Sequence, residues 1–329
     1  MKSALPGRCR PAAGAASVLL AIAVAAGSCS GAGLADPSIT PRRAPKPAPE
    51  EARTSIRIES NLVLIPVSVI DSKDRLVTGL GPEAFRVYEC KTEQTVAHFA
   101  EEDVPVSVGI VFDSSGSMRN KLREAKQALA EFAKTANPED EFFLMRFDSR
   151  PELLAPFTHG LSAAQNLLLA TKAAGKTALL DAVYMALDYM RNAKNSRKAL
   201  LVISDGGDNH SRYTREEIRQ VLRESGTAIY AMGLYAGPPR ILPEEVWAGP
   251  GLLNEMADES GGRQFEIRTP SDLPEAAGLL GRELHNQYVL GVHPNGCPPD
   301  GRYHRIQVRV VAGRNLRVFA RPGYYGAER

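Results

Sequence analysis

The sequence predicts an α/β fold in which a doubly wound, mostly parallel β-sheet is flanked by a small antiparallel β unit. Apolar strand-like segments alternate with amphipathic helical segments through the middle of the chain, and this alternation is typical of parallel sheets covered by helices. Strand-like segments without a helical period lie on either side of that middle region. The 329 residues, 43% of them hydrophobic, are enough to bury a sizeable core.

Residues 1–35 have the pattern of an export signal. Three basic residues precede an uncharged stretch whose most apolar part is residues 18–24, a segment too weak for a confident membrane span. Three outcomes are open: cleavage after Ala35 or Gly27, lipid attachment at Cys29 as in bacterial lipoproteins, or an uncleaved N-terminal anchor. We expect an exported protein of the periplasm, cell envelope or outer surface, with possible membrane attachment through the Cys29 lipid or the N-terminal segment.

Residues 36–54 are rich in proline and are predicted to form an extended linker, since proline favours polyproline geometry. The segments 55–103 and 284–329 each contain short strand-like stretches, such as NLVLIPVSVID and YHRIQVRVV, with turns between them. Neither segment has enough strands for a comfortable sandwich by itself. We therefore expect the N-terminal and C-terminal β segments to pack together.

Residues 104–283 form the predicted α/β domain. The segment VPVSVGIVF is apolar throughout, which is typical of a strand buried on both faces. Residues 118–135 carry apolar side chains at helical spacing. A later helix is predicted to begin at a capping box of Thr214 and Glu217 and to end at Gly226.

Oxygen-bearing side chains follow the strands of this domain, and ligands bind at the carboxyl ends of strands in such sheets. Two loops that follow strands and one that opens a helix supply the candidate metal ligands Asp113, Ser115, Ser117, Thr177 and Asp205. A set of oxygens without His or Cys is suited to a hard cation such as Mg²⁺, Mn²⁺ or Ca²⁺. Two carboxylates roughly neutralise the ion, while neutral hydroxyls leave it able to take a further carboxylate from a partner.

The motifs DSSGS, GKTALLDA and ISDGGD, in this order, resemble those of the von Willebrand factor A domain and its metal-ion-dependent adhesion site. The resemblance covers about 104–283, and the flanks are similar to bacterial exported von Willebrand factor A-related proteins. It implies a Rossmann-like fold, metal contacts from the hydroxyls, aspartates that often act through water, and a protein partner offering Asp or Glu. Lys176 stands where the family often has Gly.

The function predicted from these residues is metal-dependent protein binding without catalysis. One alternative is an architectural envelope protein with a structural metal. Another is a haloacid-dehalogenase-type phosphatase with Asp113 as nucleophile, which Ser115 disfavours because that chemistry needs a second Asp there. No nucleic-acid partner is expected, since the net charge is only +2 and no basic cluster is present. Asp181 and Asp208 receive no assigned role.

The four cysteines form two groups. Cys9 and Cys29 lie in the predicted leader, so processing would leave Cys90 and Cys297 in the folded body. Two thiols in an oxidising compartment favour a disulfide. A Cys90–Cys297 bond would tie the N-terminal and C-terminal β segments together across the inserted α/β domain.

Overall fold

The structure is a computed structural model that describes residues 62–235, 244–298, 300–313 and 315–326, without the side chains of residues 102 and 244–250. The predicted leader, 1–35, and linker, 36–54, lie outside the described residues. Fourteen strands are present in the described part of the chain. In chain order they are β1 Val63–Ile70, β2 Phe85–Glu89, β3 Thr92–Gln94, β4 Val96–Asp103, β5 Val106–Asp113, β6 Glu141–Phe147, β7 Pro151–His159, β8 Arg197–Ser204, β9 Ala228–Leu234, β10 Arg263–Ile267, β11 Asn286–Val292, β12 Tyr303–Val310, β13 Arg317–Ala320 and β14 Gly323–Tyr325.

Six α-helices accompany these strands in the described residues. They are α1 Leu122–Ala133, α2 Ser162–Leu169, α3 Leu179–Tyr189, α4 Arg215–Ser225, α5 Glu244–Ser260 and α6 Leu273–His285. No helix in the described ranges is long and apolar enough to cross a membrane.

The central sheet has six strands in the order β10-β9-β8-β5-β6-β7. All neighbouring strands are parallel except β6 and β7. Every residue of β5 is buried, and the strand is apolar apart from Ser107 and the terminal Asp113, as is typical of a strand with both faces covered. One core contains Ile110 and side chains of α1, α2 and α6, and the other contains Val111 and side chains of α3, α4 and α5. The predicted fold class is confirmed.

Local sequence signals account for several element boundaries. Thr214 and Glu217 form the predicted capping box at the start of α4, and Gly226 ends the helix with a φ of 62° in the left-handed region. The predicted helix over 118–135 is interrupted, because Gly116–Asn120 forms a 3₁₀ turn before α1 begins. The antiparallel edge strand β7, which contains two prolines, was not predicted. Proline is tolerated at such an edge because fewer amide groups there pair with a neighbour.

The flanking segments form two four-stranded antiparallel sheets rather than one small unit, with the orders β13-β1-β11-β4 and β14-β12-β2-β3. Each sheet takes strands from both flanking segments. For example, β1 pairs with β11 and β13, and β2 pairs with β12. Their apolar faces share a third core that includes Val67, Phe85, Leu290 and Ile306. We call these two sheets together the β unit.

The β unit joins the α/β domain directly. Strand β4 ends at Asp103 and β5 begins at Val106, while α6 ends at His285 and β11 begins at Asn286. A buried ion pair reinforces the junction, since Arg263 of β10 donates to Glu283 of α6 at 2.5 Å and to Asp74 beyond β1 at 2.8 Å. The backbone also packs closely, because a Cβ on Gly261 would lie 2.3 Å from the Arg321 nitrogen.

A disulfide links Cys90, in the turn between β2 and β3, to Cys297, in the loop between β11 and β12, with a Cα–Cα distance of 6.1 Å. The predicted pairing is confirmed. The two cysteines are 207 residues apart in sequence, so the bond closes a loop that contains the whole α/β domain. Restricting so long a loop removes much conformational freedom from the unfolded chain.

Replacing both cysteines, Cys90→Ser with Cys297→Ser, should lower the free energy of unfolding by roughly 2–5 kcal/mol, because the unfolded chain regains the entropy of the open loop. Denaturant unfolding of the variant and its parent measures the difference. The parent treated with a reductant and a chelator should match the variant. Equal stability of the oxidised parent and the variant would contradict this account.

Candidate metal centre

The candidate site lies at the carboxyl ends of β5 and β8, which are neighbours in the central sheet. The register pairs Phe112 with Ile203, so the residues that follow, Asp113 and Ser204, leave the sheet side by side. The Ser204 hydroxyl donates to Asp113 Oδ2 at 2.6 Å. Asp205 then follows directly. The parallel pairing of two strands that are distant in sequence therefore places both predicted aspartates at one edge.

The loop that follows β5 contacts Asp113, the last residue of that strand. The backbone amide of Ser115 donates to Asp113 Oδ1 at 2.8 Å, and the hydroxyl oxygens of Ser115 and Ser117 lie 3.0 Å apart. Asp113 and Ser115 are both fully buried. The turn thus gathers one carboxylate and two hydroxyls into a compact group, although only the spacing of these residues was visible in the sequence.

Backbone hydrogen bonds attach the loop of Thr177 to this turn. The Gly116 amide donates to the Gly175 carbonyl at 3.1 Å, and the Ala174 amide donates to the Ser114 carbonyl at 2.9 Å. Gly175 has a φ of +81°, and a Cβ there would lie 2.7 Å from the Ser149 hydroxyl. A side chain at this position would therefore be unfavourable in both conformation and space.

The loop after β8 completes the arrangement. The amides of Asn209 and His210 both donate to the Thr177 carbonyl at 3.0 Å, and the Thr177 amide donates to Asn209 Oδ1. The three loops that carry the predicted residues are therefore connected to one another. The structure brings all of them to one edge of the sheet, which is the placement that the strand order requires.

Asp181 and Asp208, which had no assigned role, support the loops of the candidate site. Asp208 Oδ2 accepts from the Leu180 amide at 2.8 Å, so it caps the first turn of α3 from a neighbouring loop. Asp181 Oδ1 accepts from the backbone amides of Arg212 and Tyr213. Both carboxylates hold the loop after β8 against α3.

The charge at the site is unfavourable in the absence of a cation. Burial of Asp113, together with the negative charge of Asp205, raises the pKa of Asp113 to about 7, although hydrogen bonds from Ser204 and Ser115 oppose the shift. A buried carboxylate that sits beside a second carboxylate and hydroxyl oxygens suits a hard divalent cation, which prefers oxygen ligands. The residues present therefore fit such an ion.

Lys121 is a member of the site that the sequence analysis missed. Its Nζ donates to Asp205 Oδ2 at 2.9 Å, and the two side chains are only 20% and 10% exposed. Lys121 lies between the 3₁₀ turn and α1. Its partner Asp205 is 84 positions away in the sequence, so no local pattern could predict the contact. Lys176, which the sequence analysis noted, is exposed instead. Its backbone amide donates to the Ser149 hydroxyl.

Residues 108–207 match the family model of the von Willebrand factor type A domain. The matched segment begins within β5 and ends in the loop after β8, so it includes all the predicted metal ligands. This match supports a von Willebrand factor type A domain in the α/β part of the protein.

Similar proteins include inter-alpha-trypsin inhibitor heavy chain H4 of Homo sapiens, which is 26% identical over 153 residues. These residues are 42% of this chain but only 16% of that protein. Among solved structures, the von Willebrand factor type A protein from Catenulispora acidiphila has a TM-score of 0.47 and 16% identity, covering 82% of this chain and 75% of that one. The vWF domain of the type V pili tip protein Mfa5 from Porphyromonas gingivalis has a TM-score of 0.45 and 16% identity, covering 55% and 95%.

Removing the charge of Asp113 should stabilise the metal-free protein. The folded-state pKa of about 7 lies above the ordinary value of 3.8, so the folded state binds more protons than the unfolded state between these pH values. The free energy of unfolding contributed by Asp113 should therefore fall as the pH rises from about 4 to 7 and remain low above it.

Asp113→Asn should raise the free energy of unfolding of the metal-free protein at pH 8 by roughly 2–4 kcal/mol, with little effect near pH 4. Denaturant unfolding in a chelator at several pH values measures this difference. Asp188→Asn, which changes an exposed carboxylate, is the control and should show no such dependence. A loss of stability at pH 8 in Asp113→Asn would contradict the electrostatic argument.

Lys121→Met should increase the affinity for Mg²⁺ by about tenfold, because the ammonium group competes for the Asp205 oxygen and repels a cation. Isothermal titration of the chelator-treated protein measures the affinity. Lys176→Met removes an exposed cation near the same loops and should change the affinity much less. A weaker affinity in Lys121→Met would show instead that the ammonium group supports the metal-bound state.

Proposed function

We propose that this protein is an exported, non-catalytic protein-binding module that holds a divalent cation at the carboxyl end of its central sheet. The observation that carries the proposal is the buried carboxylate of Asp113, which lies beside Asp205 and beside the hydroxyls of Ser115 and Ser117. The proposed ion is Mg²⁺. Mn²⁺ and Ca²⁺ are alternatives, because they also prefer oxygen ligands. The proposed ligands are Asp113, Ser115, Ser117, Thr177 and Asp205.

The charges of the chain support partner capture rather than a closed structural site. The two carboxylates balance a divalent ion, and Lys121 beside Asp205 adds one positive charge. The hydroxyls of Ser115, Ser117 and Thr177 add oxygen atoms without adding negative charge. When bound, the cation supplies a position that a carboxylate from outside can occupy. A protein partner that offers an Asp or Glu side chain is therefore the ligand that this site favours.

Two features support export to the cell envelope or surface. The first is the leader pattern at the N-terminus, with Cys29 as the proposed point of lipid attachment. The second is the Cys90–Cys297 disulfide, since such bonds form and persist in oxidising compartments. Absence of catalysis is part of the proposal, because Ser115 occupies the place where a phosphatase of the haloacid dehalogenase type needs its general acid.

The metal is tested on the purified full chain by thermal unfolding after removal of bound ions. Adding Mg²⁺ should raise the melting temperature of the parent, because the ion binds the folded state alone. Asp113→Asn and Thr177→Val should lose the shift. Ser114→Ala is the matched control, since the Ser114 hydroxyl donates to the Phe147 carbonyl, and it should retain the shift. An undiminished shift in Asp113→Asn would overturn the ligand assignment.

Partner capture is tested by incubating the immobilised full chain with envelope extract in Mg²⁺ or in a chelator. The proposed function requires proteins that bind in Mg²⁺, are released by the chelator and are absent with Thr177→Val. Methyl esterification of the extract should abolish capture, because it removes the carboxylates that the site is proposed to bind. Metal binding without any chelator-sensitive capture would favour the architectural alternative, in which the ion only stabilises the fold.

A further inference from the structure

A second group of potential metal ligands surrounds the disulfide, in the β unit. The Sγ of Cys297, a carboxylate oxygen of Glu89 and a ring nitrogen of His304 all lie within 4.8 Å of one another. Glu89 and His304 are only 1% and 4% exposed. Glu89 is the last residue of β2, Cys297 lies in the loop before β12, and His304 belongs to β12, so the tertiary structure brings them together.

Hydrogen bonds fix the orientation of the side chains in this group, as outer partners do for the ligands of metal sites. His304 Nε2 lies 3.0 Å from Asp300 Oδ1, and Nδ1 lies 3.2 Å from Glu89 Oε1. Donation from one imidazole nitrogen to a carboxylate fixes the tautomer that leaves the other nitrogen free to bind a metal. Here Asp300 would receive the proton of Nε2. Nδ1 lies beside the Glu89 carboxylate and the Tyr324 hydroxyl, and it would exchange these contacts for the metal.

The carboxylate of Glu89 is held in the same way. The Gly296 amide donates to Glu89 Oε2 at 2.6 Å, and the Tyr324 hydroxyl donates to Glu89 Oε1. Both potential ligands therefore have fixed orientations and outer partners, which is the arrangement that supports metal ligands in proteins. A buried carboxylate and imidazole beside the Cys297 sulfur suit a softer ion than Mg²⁺.

We propose that reduction of the Cys90–Cys297 disulfide converts this group into a zinc site, with the Cys297 thiolate, His304 Nδ1 and the Glu89 carboxylate as ligands. The released Cys90 thiolate, which is bonded to Cys297 but lies outside the group in the oxidised protein, is the proposed fourth ligand. Thiolate and imidazole ligands in a four-coordinate set are typical of structural zinc. The proposed zinc site does not depend on the site of oxygen ligands, because the two sites share no residue and use ions of different ligand preference.

The chemical step is thiol–disulfide exchange with a small dithiol. One thiolate of the dithiol attacks a sulfur of the disulfide and forms a mixed disulfide, and the first cysteine leaves as a thiolate. The second thiolate of the dithiol then displaces the other cysteine and closes a cyclic disulfide. The dithiol loses two electrons and two protons, and the protein gains them as two thiols. Zinc replaces both thiol protons on binding.

The position of the disulfide allows this exchange. Cys90 is exposed, so a dithiol can reach the bond from solvent. Cys90 and Lys91 have φ values of 48° and 76°, an uncommon conformation for residues other than glycine. The turn is therefore held in place by its surroundings. In the reduced protein, zinc would hold together the same two loops that the disulfide joins in the oxidised protein.

The test uses the full chain with Cys9→Ser and Cys29→Ser, reduced with dithiothreitol and then freed of it by anaerobic gel filtration. Co²⁺ serves as the probe, because thiolate ligands give it a charge-transfer band in the near ultraviolet. Excess Mg²⁺ is present throughout to occupy any site made of oxygen ligands. We expect one equivalent of Co²⁺ to produce the band in the reduced protein, no band in the oxidised protein, and loss of the band on adding Zn²⁺.

His304→Ala and Glu89→Gln should each weaken Co²⁺ binding by about tenfold or more, and Asp300→Asn should weaken it through the loss of an outer partner. His98→Ala, which changes an exposed histidine of β4, is the matched control and should bind as the parent does.

Circular dichroism of the oxidised variants verifies that they are folded. A reduced parent without the band, or an equal band in His304→Ala and Glu89→Gln, would overturn the zinc site and leave a purely structural network. Because the comparison of reduced and oxidised parent needs no variant, an unfolded variant does not prevent the test.

Discussion

The burial of the Asp113 carboxylate is the constraint on which the arrangement of the candidate site depends. Strand β5 is buried along its whole length and ends in this charged group, which lies beside a second carboxylate. Ser115 and Ser204 donate hydrogen bonds to Asp113, and Lys121 forms an ion pair with Asp205. These contacts reduce the free-energy cost of the buried charge without removing it. A residual local cost of this kind is typical of functional sites.

The loop of Thr177 is stiffened by bonds that leave the Thr177 hydroxyl available, whereas the hydroxyls of Ser115 and Ser117 contact each other. Thr177 is held through its backbone amide and carbonyl, and Asp208 caps α3 from the loop after β8. Such backbone attachment fixes the position of the side chain while its oxygen stays free for a ligand. Preorganisation of this sort lowers the entropy that binding must remove.

The β unit meets the α/β domain at the opposite end of the central sheet. The chain enters β5 from β4 at Val106, which is the amino end of the strand, whereas the candidate site lies at the carboxyl end. The Arg263–Glu283 pair, at the start of β10, belongs to the same junction, and burial raises the pKa of Glu283. Pairing of β1 with β11 and the disulfide join the two flanking segments, and the contact of Arg263 with Asp74 joins β10 to the turn after β1.

Elements that depend on neighbouring residues were predictable from the amino-acid sequence alone. The apolar run of β5 and the capping box of Thr214 and Glu217 are local patterns, and each has the predicted outcome in the structure. The order of strands along the chain was also sufficient to predict that the residues after β5 and β8 meet at one edge, because parallel strands place their carboxyl ends together. The Cys90–Cys297 pairing followed from there being only two cysteines in the predicted folded body.

Contacts between side chains that are distant in sequence became visible only in the folded protein. Lys121 pairs with Asp205, which is 84 positions away, and Glu89 meets His304, which is 215 positions away, beside Cys297. The division of the β unit into two sheets depends in the same way on the pairing of strands from both flanking segments. Sequence periodicity reports which face of an element is buried, but it carries no information about the element that covers that face. These contacts are therefore set by the packing of the whole chain, since many arrangements would bury the same local patterns equally well.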